Sequence, residues 1–89
     1  MAIFEATAIV GVDVAMAELV TAQRGVDKTH VLANERDAIR KWLKALPKGS
    51  AIALEATNTY HLDLVEMAHE MGHRVFVVDA ARVSKYRES

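Results

Sequence analysis

Hydrophobic and polar residues are patterned so that strands are predicted first along this chain and helices later. The apolar stretch Ala6–Val12 is typical of a buried strand, and it ends at Asp13. Two further strands are predicted at Glu18–Gln23 and Lys28–Ala33, with Gly25 in the turn between them. The chain is therefore expected to open with a three-stranded antiparallel meander.

Helical spacing follows this meander. Asn34 is a suitable N-cap for a first helix, and Asp37, three residues later, can complete the capping interaction. Apolar residues then recur at positions i, i+3, i+4 and i+7 and define one buried helix face: Ile39, Trp42, Leu43 and Leu46. Pro47 and Gly49 are expected to end this helix.

A parallel strand and a second helix come next. Ala51–Leu54 has no polar alternation, which is typical of a central parallel strand, and Glu55 stands at its carboxyl end. Thr57 and Asn58 predict the start of a helix that runs to Met71. Its buried side is expected to carry Leu64, Val65, Ala68 and Met71.

The chain is expected to finish with a strand and a short helix. Gly72 ends the second helix, Arg74–Val78 is a short apolar strand, and residues 80–89 are predicted to form a last helix containing Val83 and Tyr86. With right-handed crossovers, this order gives one α/β domain over residues 1–89. The order is that of a ribonuclease-H-like mixed sheet, with strand order 3-2-1-4-5 and flanking helices, although other α/β folds share it.

Composition and charge limit the cellular setting. Hydrophobic residues make up 52% and charged residues 26% of the 89 residues, as in ordinary globular proteins. The chain has no apolar run near the length of a membrane span, no secretory signal pattern and no cysteine, so we expect a cytoplasmic protein without disulfides. The net charge of -1 means that a DNA-binding role would need basic groups from elsewhere.

Two carboxylates are the main candidates for chemistry. Asp13 and Glu55 stand at the carboxyl ends of strands that should be parallel neighbours, where ligands of open α/β sheets bind. Two acids at close range repel each other unless a hard cation such as Mg²⁺ neutralises them. The spacing alone is equally consistent with Asp13 starting a turn and Glu55 capping a helix.

Two segments resemble the opening motifs of a known family. They are Gly11–Ala15 (GVDVA) and Leu54–His61 (LEATNTYH), and they are similar to motifs of the DEDD-type transposases of bacterial insertion sequences, which include the Piv-type DNA invertases. The similarity extends over about residues 8 to 88. The sequence departs from the family at Met16, where lysine is common, and at Asn58, where glycine is common.

The resemblance implies a catalytic domain related to RuvC-like Holliday-junction resolvases. In this family four acids bind Mg²⁺ and act on DNA strands. Asp13 matches the first acid and Glu55 the second, and both are expected to be catalytic and metal-binding. The paired aspartates expected after the final helix would lie beyond Ser89, as would a carboxyl-terminal domain with a nucleophilic serine. The family also implies a structured guide RNA from the element as a partner.

Other residues are weaker candidates. Asp79 ends the last predicted strand and is either an accessory metal ligand or a helix N-cap, while Tyr60 and His61 are accessory candidates for contacts with substrate. The segment His69–His73 (HEMGH) fits the H-E-x-x-H zinc motif, but Gly72 would interrupt the helix that this motif needs.

Two alternative functions remain open at this point. One is an actin-like or sugar-kinase-like nucleotide-binding fragment, which also begins with a Gly-x-Asp strand but needs a phosphate-binding glycine cluster that Gly11 and Gly25 do not provide. The other is a non-catalytic remnant that dimerises, because an incomplete layer of helices would leave apolar surface for self-association. We therefore expect a homodimer of the fragment.

Overall fold

A computed structural model of the chain describes residues 8–56 and 59–79. These residues form five strands and two helices. In chain order they are β1 (Ile9–Val14), β2 (Glu18–Gln23), β3 (His30–Ala33), α1 (Arg36–Ala45), β4 (Ala51–Ala56), α2 (Leu62–Glu70) and β5 (Arg74–Asp79). The order agrees with the prediction as far as β5. The helix predicted for residues 80–89 lies outside the described residues.

The strands form one mixed sheet in the order β3-β2-β1-β4-β5, as predicted. The pairs β1–β2 and β2–β3 are antiparallel, whereas β1–β4 and β4–β5 are parallel. As a result β1, β3, β4 and β5 all end at one edge of the sheet, which we call the carboxyl edge. Segments far apart in the sequence therefore meet there.

Two strand boundaries differ from the prediction. β1 continues through Asp13 to Val14, because Asp13 and Val14 still pair with Val20 and Leu19 of β2. β3 begins at His30, two residues later than predicted, because its pairing with β2 extends only as far as Thr21 and His30.

Glu55 also lies within its strand. Pairing between β4 and β5 continues through Glu55 and Val78 to Ala56 and Asp79. Both candidate carboxylates are thus the last but one residues of their strands and are held by the sheet.

The predicted cap of α1 is wrong. The N-cap residue is Glu35, whose backbone is extended (φ -135°, ψ 148°) and whose side chain makes no capping hydrogen bond. Asp37 accepts a hydrogen bond from Arg40 at 3.3 Å. The side-chain amide of Asn34 is engaged with two backbone carbonyl groups elsewhere and does not cap the helix.

The predicted start of α2 is also wrong. The helix begins at Leu62, after a turn in which the Leu62 amide donates to the Thr59 carbonyl at 3.3 Å. Whether Thr57 and Asn58 act as caps falls outside the described residues. The end of the helix is as predicted to within one residue, because Gly72 adopts a φ of +83° that other residues rarely adopt.

One hydrophobic core holds both helices on the same face of the sheet. Alternate strand residues contribute to it, together with the predicted helix faces. Its buried members are Val10, Val12, Leu19, Leu32, Ile39, Leu43, Ile52, Leu54, Leu64, Met67 and Ala68. Trp42, Leu46, Val65 and Met71 are half-buried against this core, which agrees with the predicted helix stripes.

The opposite face of the sheet, which we call the open face, carries the remaining alternate residues. Gly11, Asp13, Val31, Glu55 and Val78 are all exposed there. Within residues 8–56 and 59–79, neither helix is both long and apolar enough to cross a membrane.

Candidate functional site

Asp13 and Glu55 lie side by side at the carboxyl edge. Val12 of β1 pairs with Leu54 of β4, so each carboxylate is the next residue of its strand after this pair. Adjacent strands are about 4.8 Å apart, and residues at matching positions of a parallel pair project from the same face. Both side chains are exposed on the open face. The sheet therefore brings the two predicted acids together.

The two carboxylates border one depression of about 450 Å³ in the open face. Its floor contains a row of small residues from three adjacent strands, because Gly11 pairs with Ala22 on one side and with Ala53 on the other. The depression is lined by Gly11, Val12, Asp13, Val20, Ala22, Ala53, Leu54, Glu55 and Val78. Small residues at the centre leave room beside the acids for part of a ligand.

The donor set fits a hard cation that keeps water or substrate ligands. Among residues 8–56 and 59–79 there is no group of three or more His, Cys, Asp or Glu side chains that could hold a metal. Mg²⁺ is commonly bound by only one or two carboxylates, with water and substrate phosphate completing its shell. Asp13 and Glu55 match that requirement, and their exposure leaves the approach to the pair open.

Asn34 connects the segments that follow the two acidic strands. Its side-chain amide donates one hydrogen bond to the Ala15 carbonyl at 2.8 Å and another to the Tyr60 carbonyl at 2.9 Å. Its backbone amide donates to the Ala17 carbonyl at 3.0 Å. Sequence reasoning missed this arrangement, because an asparagine before a helix has the ordinary features of an N-cap.

An exposed ion-pair network lies next to this connection. Arg36 in the first turn of α1 contacts Asp63 at 3.1 Å and Glu66 at 3.2 Å, both in α2. Hydrogen bonding to Asp63, and then to Glu66, raises the pKa of the Arg36 guanidinium. Arg36 thus joins the first turn of α1 to α2, and Asn34, just before α1, contacts the turn that precedes α2.

Of the accessory candidates, Tyr60 and His61 are not among the residues that line the depression. Tyr60 is exposed in the turn before α2, and its carbonyl accepts the Asn34 hydrogen bond. His61 is half-buried at the N-cap position of α2, and its Nδ1 is buried without a hydrogen-bond partner among the described residues. The backbone of Asp79 pairs with Ala56 at the end of β5, but its side chain lies outside the part of the chain that can be described.

The apparent zinc motif does not form a metal site. α2 ends at Glu70, so His69 and His73 do not lie on consecutive turns of one helix, as H-E-x-x-H requires. His69 is exposed, whereas His73 is buried with its Nε2 3.2 Å from the Leu43 carbonyl. His73 is a packing residue between α1 and β5.

Comparisons with protein-family models and with curated proteins give no match for this chain.

Proposed function

We propose that this chain is the amino-terminal part of the catalytic domain of a DEDD-type transposase or related site-specific DNA recombinase. In this proposal Asp13 and Glu55 are the first two of its metal-binding acids. The observation that carries the proposal is the placement of both acids on one face, one position beyond the Val12–Leu54 pair and beside one depression. That position is where open α/β sheets bind ligands.

The proposed fold is ribonuclease-H-like, in the RuvC-like branch. It is supported by the strand order β3-β2-β1-β4-β5, with an antiparallel meander followed by two parallel crossovers. In such a sheet the first strand is central, and the fourth strand lies beside it. The first acid is then on the central strand and the second on its parallel neighbour.

The chemistry proposed for the complete site is DNA strand cleavage and rejoining. A bound Mg²⁺ would neutralise negative charge on the phosphate group that is transferred. Asp13 and Glu55 would hold that ion at the carboxyl edge, and Gly11, Ala22 and Ala53 leave space beside them for the DNA backbone. Two acids meet only part of the ligand requirement of two-metal phosphoryl transfer, so the remaining acids would come from a more distal segment.

A cation titration of the 89-residue chain tests the proposal. We expect Mn²⁺, which binds the same oxygen ligands as Mg²⁺, to broaden the backbone NMR signals of Asp13, Glu55 and their strand neighbours first. Asp13→Asn and Glu55→Gln should each weaken the apparent affinity at least about tenfold, since each removes a direct ligand.

The matched control is Asp27→Asn, which changes an exposed acid in the turn at the opposite edge of the sheet. It should leave both the affinity and the pattern of broadening unchanged. Broadening spread evenly over all exposed acids, with no loss in the Asp13 or Glu55 variants, would show that the two carboxylates do not share a cation. In a chain that extends through the remaining acids, Asp13→Ala should abolish recombination while circular dichroism shows an intact fold.

The dimerising remnant is the second candidate. The observation that favours it is the exposure of the large apolar side chains Val31 and Val78 on the open face, at 53% and 38%. This candidate predicts self-association without cation binding at Asp13 and Glu55. The titration above therefore separates the two candidates.

A further inference from the structure

Asn34 lies where three segments of the chain meet at the carboxyl edge. It follows β3 directly, and its side chain contacts both the turn after β1, at Ala15, and the turn before α2, at Tyr60. These partners are 19 and 26 residues away in the sequence. Together with the backbone bond to Ala17, three hydrogen bonds converge on one residue.

Both contacts of the side chain require an amide nitrogen. The two partners are carbonyl oxygens, which only accept, so the nitrogen of Asn34 must face them, and each of its two hydrogens is used once. Aspartate has the same shape but cannot donate. Serine has a single hydrogen, and glutamine places its amide one carbon further from the backbone. The geometry is therefore specific to asparagine.

The two turns held by Asn34 are the continuations of the two acidic strands. Ala15 is two residues after Asp13, and Tyr60 is five residues after Glu55. The last residue pair in register between β1 and β4 is Val12 with Leu54, so the pairing of these two strands with each other stops just before the acids. Each acid still pairs with the strand on its other side, Asp13 with β2 and Glu55 with β5. Beyond that pair, the Asn34 amide bridges the continuations of the two strands with bonds of 2.8 and 2.9 Å.

We propose that Asn34 is a positioning residue that fixes the spacing of Asp13 and Glu55 for a shared divalent cation. This inference rests on the proposed function, because it requires that the two acids bind one cation. Asn34 does not line the depression and does not act as a ligand. It acts through the backbone of the turns that follow β1 and β4.

The test compares Asn34→Leu, which keeps the approximate size but removes both donors, with wild type by two measurements. The first is ¹⁵N relaxation, in which the order parameters of residues 15–17 and 59–61 should fall together. The second is the Mn²⁺ titration, in which the apparent affinity should weaken about two- to tenfold, as expected for the loss of one or two net hydrogen bonds. Asn34→Gln, which retains both donors, should recover part of the loss.

Gln23→Leu is the matched control, because it removes a side-chain amide at the opposite end of β2. It should leave both measurements unchanged. If Asn34→Leu does not fold, Asn34→Ser replaces it. Its single donor can hold at most one of the two carbonyl groups, so the Mn²⁺ affinity should again weaken relative to wild type and at least one of the two turns should loosen.

These measurements distinguish a failure of the proposed cation site from a failure of the role proposed for Asn34. If wild type does not bind Mn²⁺ at Asp13 and Glu55, the proposed function fails and the inference fails with it. If wild type binds but Asn34→Leu binds equally well, or if only one of the two turns loosens, the inference alone is overturned. A loss of affinity with both turns loosened and with the control unchanged would support it.

Discussion

Gly11 illustrates how one residue shapes the candidate site. It lies between Ala22 and Ala53 in the row of small residues beside the two carboxylates, and its backbone is not in the left-handed region. A Cβ atom at this position would meet only the Ala22 carbonyl oxygen, at 3.9 Å, which is an ordinary contact. The absence of a side chain at Gly11 therefore keeps the depression open, and the backbone conformation does not require it.

We predict that Gly11→Ala stabilises the chain by roughly 0.5–1 kcal/mol, because alanine loses less conformational entropy than glycine in a strand. The matched control is Gly72→Ala, which also has open space around it but has a φ of +83°. That variant should lose roughly 1–2 kcal/mol, because left-handed backbone is strained in residues other than glycine. Urea unfolding of both variants measures the difference, and a destabilised Gly11→Ala variant would contradict the account.

Helix α1 contacts its neighbours through one buried hydrogen bond and one exposed ion-pair network. Near the carboxyl end of α1, the Nε2 atom of the buried His73 ring lies 3.2 Å from the Leu43 carbonyl oxygen. At its first turn, the exposed Arg36 pairs with Asp63 and Glu66 of α2. Water and salt screen the exposed pair, so the buried contact should contribute more to stability.

We therefore predict that His73→Leu lowers the free energy of unfolding by at most about 1 kcal/mol. It removes one net hydrogen bond while nearly keeping the volume, and it also removes the buried Nδ1, which has no hydrogen-bond partner among the described residues and so offsets part of the loss. The Leu43 carbonyl also accepts a hydrogen bond from the Leu46 amide, so it keeps one partner. Such a loss corresponds to a thermal midpoint roughly 4–8 °C lower in a domain of this size.

Arg36→Ala is the control for that experiment and should have a much smaller effect, which disappears at high salt. Because these ion pairs raise the pKa of the Arg36 guanidinium, they stabilise the fold at neutral pH and lose that contribution as the pH rises into the strongly alkaline range. The Arg36 group itself should therefore add no pH dependence near neutrality. An Arg36→Ala loss as large as that of His73→Leu would contradict this ranking.

At the scale of the whole molecule, the two faces of the sheet differ in kind. One face carries both helices and the core, and the open face carries the acids, the small-residue row and exposed valines. The net charge of -1 gives little repulsion between copies of the chain. If the chain is the dimerising remnant, a second copy covers the open face at high concentration.

The dimerising-remnant candidate predicts that sedimentation equilibrium shows a dimer of the 89-residue chain, which Val78→Lys converts to a monomer. The control Val26→Lys changes another exposed valine, at 52%, in the turn at the opposite edge, and should leave the dimer intact. A strict monomer at high concentration would rule out this use of the face.

Much of the fold could be predicted from local pattern. The element order, the strand order 3-2-1-4-5 and the buried helix faces follow from the spacing of apolar residues and from the preference for right-handed crossovers. The placement of Asp13 and Glu55 at one edge followed as well, because acids near the carboxyl ends of adjacent parallel strands lie near each other.

The sequence by itself thus determined the element order, the strand order and the placement of the two carboxylates at one edge of the sheet. Only the tertiary structure decided that Glu35 and not Asn34 precedes α1 as its cap, that His73 packs against Leu43, and that the Asn34 amide joins Ala15 to Tyr60. The physical reason is the range of the interactions. Periodicity reports burial within a few residues, whereas the partners of a hydrogen-bonding side chain can lie 19 to 30 residues away and are fixed only when the strands have assembled.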